Sequence, residues 1–375
     1  MHRHTGMTAL PLLDLSGDAH QRGHRHGSFA RDMIAANIRT YLRRFTFTGA
    51  SEARIMEEGA RWAERIKTYD PVYHAEMAAL AEAAGQPLGA IGMLNARYEL
   101  AYTAFSTEAE FVAAQPDGCT SFGIMPEAAA SGHTLIGQNW DWLAALTGNL
   151  LMLRVRRDDA PDFLTLTQAG IVCGMAGVNE AGIGMTVNGL ISEREGRISN
   201  AKPFHLRCAE IMNARRLDHA LGAILQTDRV CSVNMVMGQD EGDGAGEIVD
   251  IEAAPDRAAY IYPREGVVTH ANHFEASPWA VSQIERLSAS TVYRTERLRR
   301  HLARHRGQID LETIKTGLRD HFSHPGSICT HPDDAFPEEV RVATVSSFII
   351  DLTERCIYAT AGTPCTHEYT RYALA

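Results

Sequence analysis

At 375 residues, 45% hydrophobic and 22% charged, the chain has the apolar mass of an ordinary globular protein with a substantial core. Its net charge of −10, from 36 basic and 46 acidic residues with no long block of one sign, argues against a nucleic-acid or anionic-membrane partner. Seven scattered cysteines without a CxxC pair argue against a disulfide framework and present no zinc-ligand set, so no cofactor or metal is expected. No window has the apolar length of a membrane span and the first residues lack a signal-peptide core, which makes the cytoplasm the expected setting.

Residues 10–118 read mostly as helix. Between residues 29 and 47, Met33, Ile34, Ile38, Tyr41, Leu42 and Phe45 recur close to the helical period. The pattern continues over 53–69, over 73–84 with Gly85-Gln86-Pro87 as the stop, and over 88–104 with Asn95, Arg97 and Glu99 as polar interruptions. Five histidines (His2, His4, His20, His24, His26) have no carboxylate or cysteine at ligand spacing and read as surface or loop residues. Residues 111–116 then lead to a change of texture. Segments 121–125, 134–138, 150–156 and 163–167 are short, β-rich and separated by Gly, Pro or Asp, and 177–182 reads as a turn between two strands. Helices are expected over 204–212, 217–226, 288–305 and 311–321. Strands are expected over 232–238, 247–252, 258–262, 266–272, 344–351 and 356–362. Such an order predicts an α+β protein with two sheets packed face to face and helices outside.

The most informative stretch is Asp117-Gly118-Cys119-Thr120-Ser121. Cys119 reads either as a core thiol beside a turn or as the first residue of a chain that cuts itself after Gly118. In the second reading one residue carries both a thiol nucleophile and an α-amine, whose ordinary pKa of ~8 suits a general base near neutrality. Gly118 would leave the path of the thiol to its own carbonyl clear. A polar run, Gly137-Gln138-Asn139-Trp140-Asp141-Trp142, follows between apolar residues.

These segments, with Arg22-Gly23-His24-Arg25-His26-Gly27, Met93-Leu94-Asn95-Ala96-Arg97-Tyr98-Glu99-Leu100-Ala101-Tyr102, Gln168-Ala169-Gly170-Ile171, Gly177-Val178-Asn179-Glu180-Ala181-Gly182, His270-Ala271-Asn272-His273 and Ser327-Ile328-Cys329, resemble the C45 family of N-terminal nucleophile (Ntn) hydrolases in its isopenicillin N acyltransferase branch. The resemblance runs nearly the whole length. It implies a four-layer αββα sandwich and self-cleavage at Gly118–Cys119. The products would be a mainly helical segment, 1–118, and a catalytic segment, 119–375, held in one compact unit. It further implies Cys119 as nucleophile, Asp141 as the group holding the new amine, and Asn272 and Asn188 as oxyanion-hole candidates. Arg294 matches the late arginine of the wider group, with Arg297 one turn away. Bile-salt hydrolases and penicillin V acylases of that group carry an arginine where this chain has Gln138, so their specificities do not transfer. Gln138 and Trp142 are the candidate substrate-binding residues.

Each of these residues also has a plainer reading. Asp141 suits a turn or helix cap, Asn272 a strand end, Asn188 an Asn-Gly hairpin and Arg294 a solvated helix face. The function expected is acyl-group cleavage from a small N-acyl compound through an acyl-Cys119 intermediate. An amine acceptor with acyl-CoA as donor would make it an N-acyltransferase instead. A non-catalytic Ntn-like binding scaffold and a peptidase acting only on itself are the remaining alternatives.

Overall fold

The computed structural model describes residues 8–47, 49–104, 118–242, 244–286 and 288–375; the stretch 111–116, Asp117, His2 and His4 lie outside the described residues. A short strand, β1 (Leu12–Leu15), precedes helices α1 (Ala19–Phe29), α2 (Arg31–Phe47), α3 (Glu52–Tyr69), α4 (Pro71–Ala84) and α5 (Leu88–Asn95). Their ends follow local chemistry. Asp18 and Gln21 form a capping box on α1, and Asp70 with Pro71 opens α4. Gly85, at φ +66, closes α4 in the left-handed conformation.

Next come β2 (Thr120–Ile124), β3 (Leu135–Leu143), β4 (Leu150–Val155), β5 (Phe163–Gln168), β6 (Ala176–Asn179) and β7 (Ile183–Gly189). Two helices, Phe204–Asn213 and Leu217–Leu225, lead into β8 (Val233–Gln239), β9 (Glu247–Ala253), β10 (Ala258–Ile261) and β11 (Val267–His270). Helices Thr291–Ala303 and Leu311–Leu318 precede β12 (Val342–Asp351), β13 (Cys356–Ala359) and β14 (Thr370–Ala373).

The strands form an eight-stranded sheet, β1-β4-β5-β6-β7-β8-β9-β10, and a six-stranded sheet, β11-β2-β3-β12-β13-β14. Strand period two explains the layering, because central strands are apolar on both faces. In β4, Leu150 and Met152 enter the core between the sheets, while Leu151 and Leu153 face the N-terminal helices. In β12, Phe348 and Ile350 face between the sheets, and Ile349 packs outward with Leu298, Leu302, Ile314 and Leu318. Three buried clusters therefore separate four layers, the αββα order expected.

Two strands lie outside the sequence expectation. β1, within the stretch expected to be mostly helix, is a four-residue strand made regular by parallel pairing with β4. β14 adds a closing edge strand. The Arg22–Gly27 stretch is structural. Arg22 pairs with buried Glu76 at 2.6 Å, and β-carbons on Gly23 and Gly27 would lie 2.1 and 2.3 Å from α4 carbonyls, so α1 and α4 touch backbone to backbone. His26 is buried, contrary to the surface reading. Burial lowers its pKa to about 4, and the neutral ring accepts Gly170 N–H at 3.3 Å.

Candidate active site

Cys119 stands at the head of β2, a central strand of its sheet, between β11 and β3. Alternation sends Thr120 toward the outer helices and Cys119 toward the core between the sheets, where it clusters with Trp140 and, at the cluster's margin, Trp142 and Met175. The thiol points at Asp141 O, 3.6 Å away. The Asp141 carboxylate lies on the other face, so close to Gly118 that a β-carbon there would sit 2.7 Å from Oδ2. A larger residue at 118 would push the Asp141 carboxylate from its place.

A β-bulge aims the partner of Asp141. The β12–β3 register slips between Thr344 and Ser346, and Thr344 Oγ1 donates to Asp141 Oδ1 at 2.6 Å. Thr344 Oγ1 in turn accepts Thr330 N–H at 3.0 Å. Asp141 is buried inside a strand, not a turn or helix cap.

Arg294 turns inward from helix Thr291–Ala303 and is wholly buried, so the solvated-face reading fails for this member of the basic run. Its Nη1 donates to Gly118 O, to Cys119 O at 2.6 Å and to Thr120 Oγ1 at 2.7 Å; Nη2 donates to Asn272 Oδ1 at 2.8 Å. Arg297 pairs instead with Asp320 at 2.6 Å, near the surface.

Asn272 follows β11 and donates Nδ2 to Gly189 O at 3.0 Å, joining the ends of the two sheets. Asn188 lies within β7 rather than at a hairpin tip. Its amide donates to Ser121 Oγ at 2.8 Å and Ala271 O at 2.9 Å. Gln138 is buried and its amide meets the facing sheet: Nε2 donates to Val187 O at 3.0 Å and Oε1 accepts Val187 N–H at 2.9 Å. The side chain completes a backbone-like pair between sheets. Trp142 is partly buried, and its Nε1 donates to Tyr41 OH at 2.8 Å. Arg97, read only as a polar interruption, has its guanidinium 5.5 Å from the Trp142 ring and 6.0 Å from those of Trp140 and Tyr41. The helical N-terminal segment thereby contributes a buried cation to the aromatic wall beside Cys119.

Below the site, His270 presents Nε2 to Glu252 Oε1 at 3.0 Å and Nδ1 to Ala271 O at 2.9 Å. Two acceptors require two ring protons, so the imidazole is a cation. Burial alone would lower its pKa, but the carboxylates of Asp250, Glu252 and Glu275 raise it to about 10. A raised folded-state value gives stability that is complete below about 6.5, the unfolded value, and lost as pH climbs through about 10. Thermal midpoints measured across this window should fall more steeply for the native chain than for a His270→Gln variant. Parallel profiles would refute the cation.

Two sheets face to face with helices on both outer faces make an αββα sandwich, and Cys119 heads an interior strand of the smaller sheet. The sequence profile of the acyl-coenzyme A:6-aminopenicillanic acid acyl-transferase family matches residues 128–365, and the chain belongs to that family. It is similar to the 40 kDa form of acyl-coenzyme A:6-aminopenicillanic-acid-acyltransferase from Emericella nidulans, 26% identical over 259 residues, covering 68% of this chain and 67% of that protein. Among solved structures it is similar to a Caenorhabditis elegans N-acylethanolamine-hydrolyzing acid amidase ortholog (12% identity, 63% of this chain and 93% of the other, TM-score 0.47). It is also similar to penicillin V acylase from Agrobacterium tumefaciens (13% identity, 68% and 86%, TM-score 0.44).

Proposed function

We propose that the protein is a self-processing Ntn enzyme that removes the acyl group from a small N-acyl compound. One observation carries this reading: the Arg294 guanidinium lies on the carbonyls of Gly118 and Cys119, and the Asp141 carboxylate closes on Gly118. In processing, Cys119 Sγ attacks the Gly118 carbonyl carbon, the C–N bond breaks, and the thiol proton passes to the departing Cys119 amine. Arg294 donates to the oxygen that gains charge. Water then opens the thioester, leaving Gly118 as a carboxylate and Cys119 with a free amine and thiol. Segments 1–118 and 119–375 stay together.

In turnover the amine takes the Cys119 thiol proton as sulfur attacks the substrate amide, then returns it to the leaving amine. Asn272, with one amide hydrogen held by Gly189 O, is the better of the two asparagines for the oxyanion; Asn188 spends its donors fastening β2 to the segment after β11. Acceptance of the acyl group by water makes the enzyme an amidohydrolase. Acceptance by an amine, with acyl-CoA as donor, makes it an acyltransferase, the alternative favoured by the name of the fungal relative. None of the seven cysteines is in a disulfide among the described residues, which fits a reducing cytoplasm, and no helix of those residues is long and apolar enough to cross a membrane.

The test is the denatured mass and N-terminal sequence of the purified protein, followed by release of acid from N-acyl amines with and without added amine acceptor. Two pieces, the longer beginning at Cys119, with acid released, are expected. An uncut chain without turnover would return the protein to the scaffold reading.

A further inference from the structure

The fold gathers four side chains that sequence spacing keeps apart. His321, Cys329 and His331 lie in the loop after helix Leu311–Leu318, and Cys365 comes from the segment after β13. Their nearest ligating atoms all fall within 4.8 Å of one another. His331 Nε2 is the hub, 3.1 Å from His321 Nε2, 3.4 Å from Cys365 Sγ and 3.6 Å from Cys329 Sγ.

Hydrogen bonding does not account for this convergence. A ring nitrogen has either one proton or one lone pair, so His331 Nε2 can satisfy one of its three neighbours. A cation at the centre satisfies all four. Tetrahedral zinc, with bonds of about 2.3 Å to sulfur and about 2.0 Å to nitrogen, sets its ligands about 3.3–3.8 Å apart. The three edges at His331 Nε2 agree to a few tenths of an ångström, and the other three are no longer than 4.8 Å. Two thiolates and two imidazoles are borderline-soft donors, wrong for Mg²⁺ or Ca²⁺ and right for Zn²⁺.

We infer that His321, Cys329, His331 and Cys365 form a closed, structural Zn²⁺ site that pins the loop behind the active site. Thr330, between two of the ligands, is the residue whose N–H meets Thr344 Oγ1 and whose Oγ1 would lie 3.3 Å from a β-carbon on Gly118. The metal thus holds the wall on which Asp141 and Thr344 rest. Binding takes one Zn²⁺ and releases two thiol protons, leaving the site neutral.

The experiment uses tag-free full-length protein equilibrated with Zn²⁺ and dialysed, and reads metal rather than activity, so it stands independently of the proposed reaction. About one zinc per chain is expected, with a thermal midpoint that falls on chelation. Replacement by Co²⁺ should give the sulfur-to-cobalt charge-transfer bands of a thiolate site, which the histidines near the N-terminus cannot produce. Cys365→Ser and the surface variant His321→Ala should each lose the metal or alter those bands, while Cys173→Ala keeps them. Native protein without tightly bound zinc, cobalt spectra unchanged in both variants, or a Cys329–Cys365 disulfide in the freshly purified chain would overturn the assignment.

Discussion

Replacing Cys119 by alanine is expected to leave one uncut chain and to lower turnover by on the order of 10⁶-fold, as loss of a catalytic nucleophile does elsewhere. The alanine fits the site, since it only removes sulfur from a cluster bounded by Trp140. The fold should therefore persist, and an unchanged circular dichroism spectrum would verify it. Cys119→Ser tests the chemistry more finely. The hydroxyl is a far weaker acid than a thiol, so processing should slow while still yielding the same two pieces. Denaturing mass spectrometry over a time course separates the cases, and normal cleavage or turnover in the alanine variant would remove Cys119 from the mechanism.

The second large effect is expected at Arg294. Its fork reaches Gly118 O, Cys119 O, Thr120 Oγ1 and Asn272 Oδ1 together, a set that a single ammonium group cannot reproduce. Arg294→Lys should retain charge and fold yet process about 10²–10³-fold more slowly, the usual cost of losing an oxyanion donor. Arg294→Met should stop processing, with the buried carbonyls left without their donor. Cleavage of the lysine variant at the native rate would assign Arg294 to packing alone.

Much of this was legible in the sequence because it is local or periodic. The helical period of α2 to α4, the β-rich runs after Cys119 and the Gly–Cys junction all carry their signal within a few residues. What escaped depends on long-range pairing. Four residues of β1 have no pattern until β4 lies beside them. Arg294 is one arginine in a basic helix, and only packing shows that it alone among the arginines of that helix is completely buried. The bonds of Gln138 to the Val187 backbone join two sheets across 49 positions, which no local pattern shows. Cys365 lies 34 positions from His331, beyond any spacing motif.

The first strand of the chain also governs what kind of object a processed molecule would be. β1 is a strand of the larger sheet, Asn37 holds the carbonyls of Asn149 and Ala169, and Tyr41 is bonded to Trp142 and Gln168. All of these contacts cross from the segment before Gly118 to the one after it. Once the bond is cut, the molecule is a heterodimer whose subunits were folded around each other as one chain. Its unfolding then liberates two species, so recovery depends on concentration and on two partners meeting without the tether that guided them the first time. Such a protein is assembled once, and its lifetime is set by how slowly it comes apart.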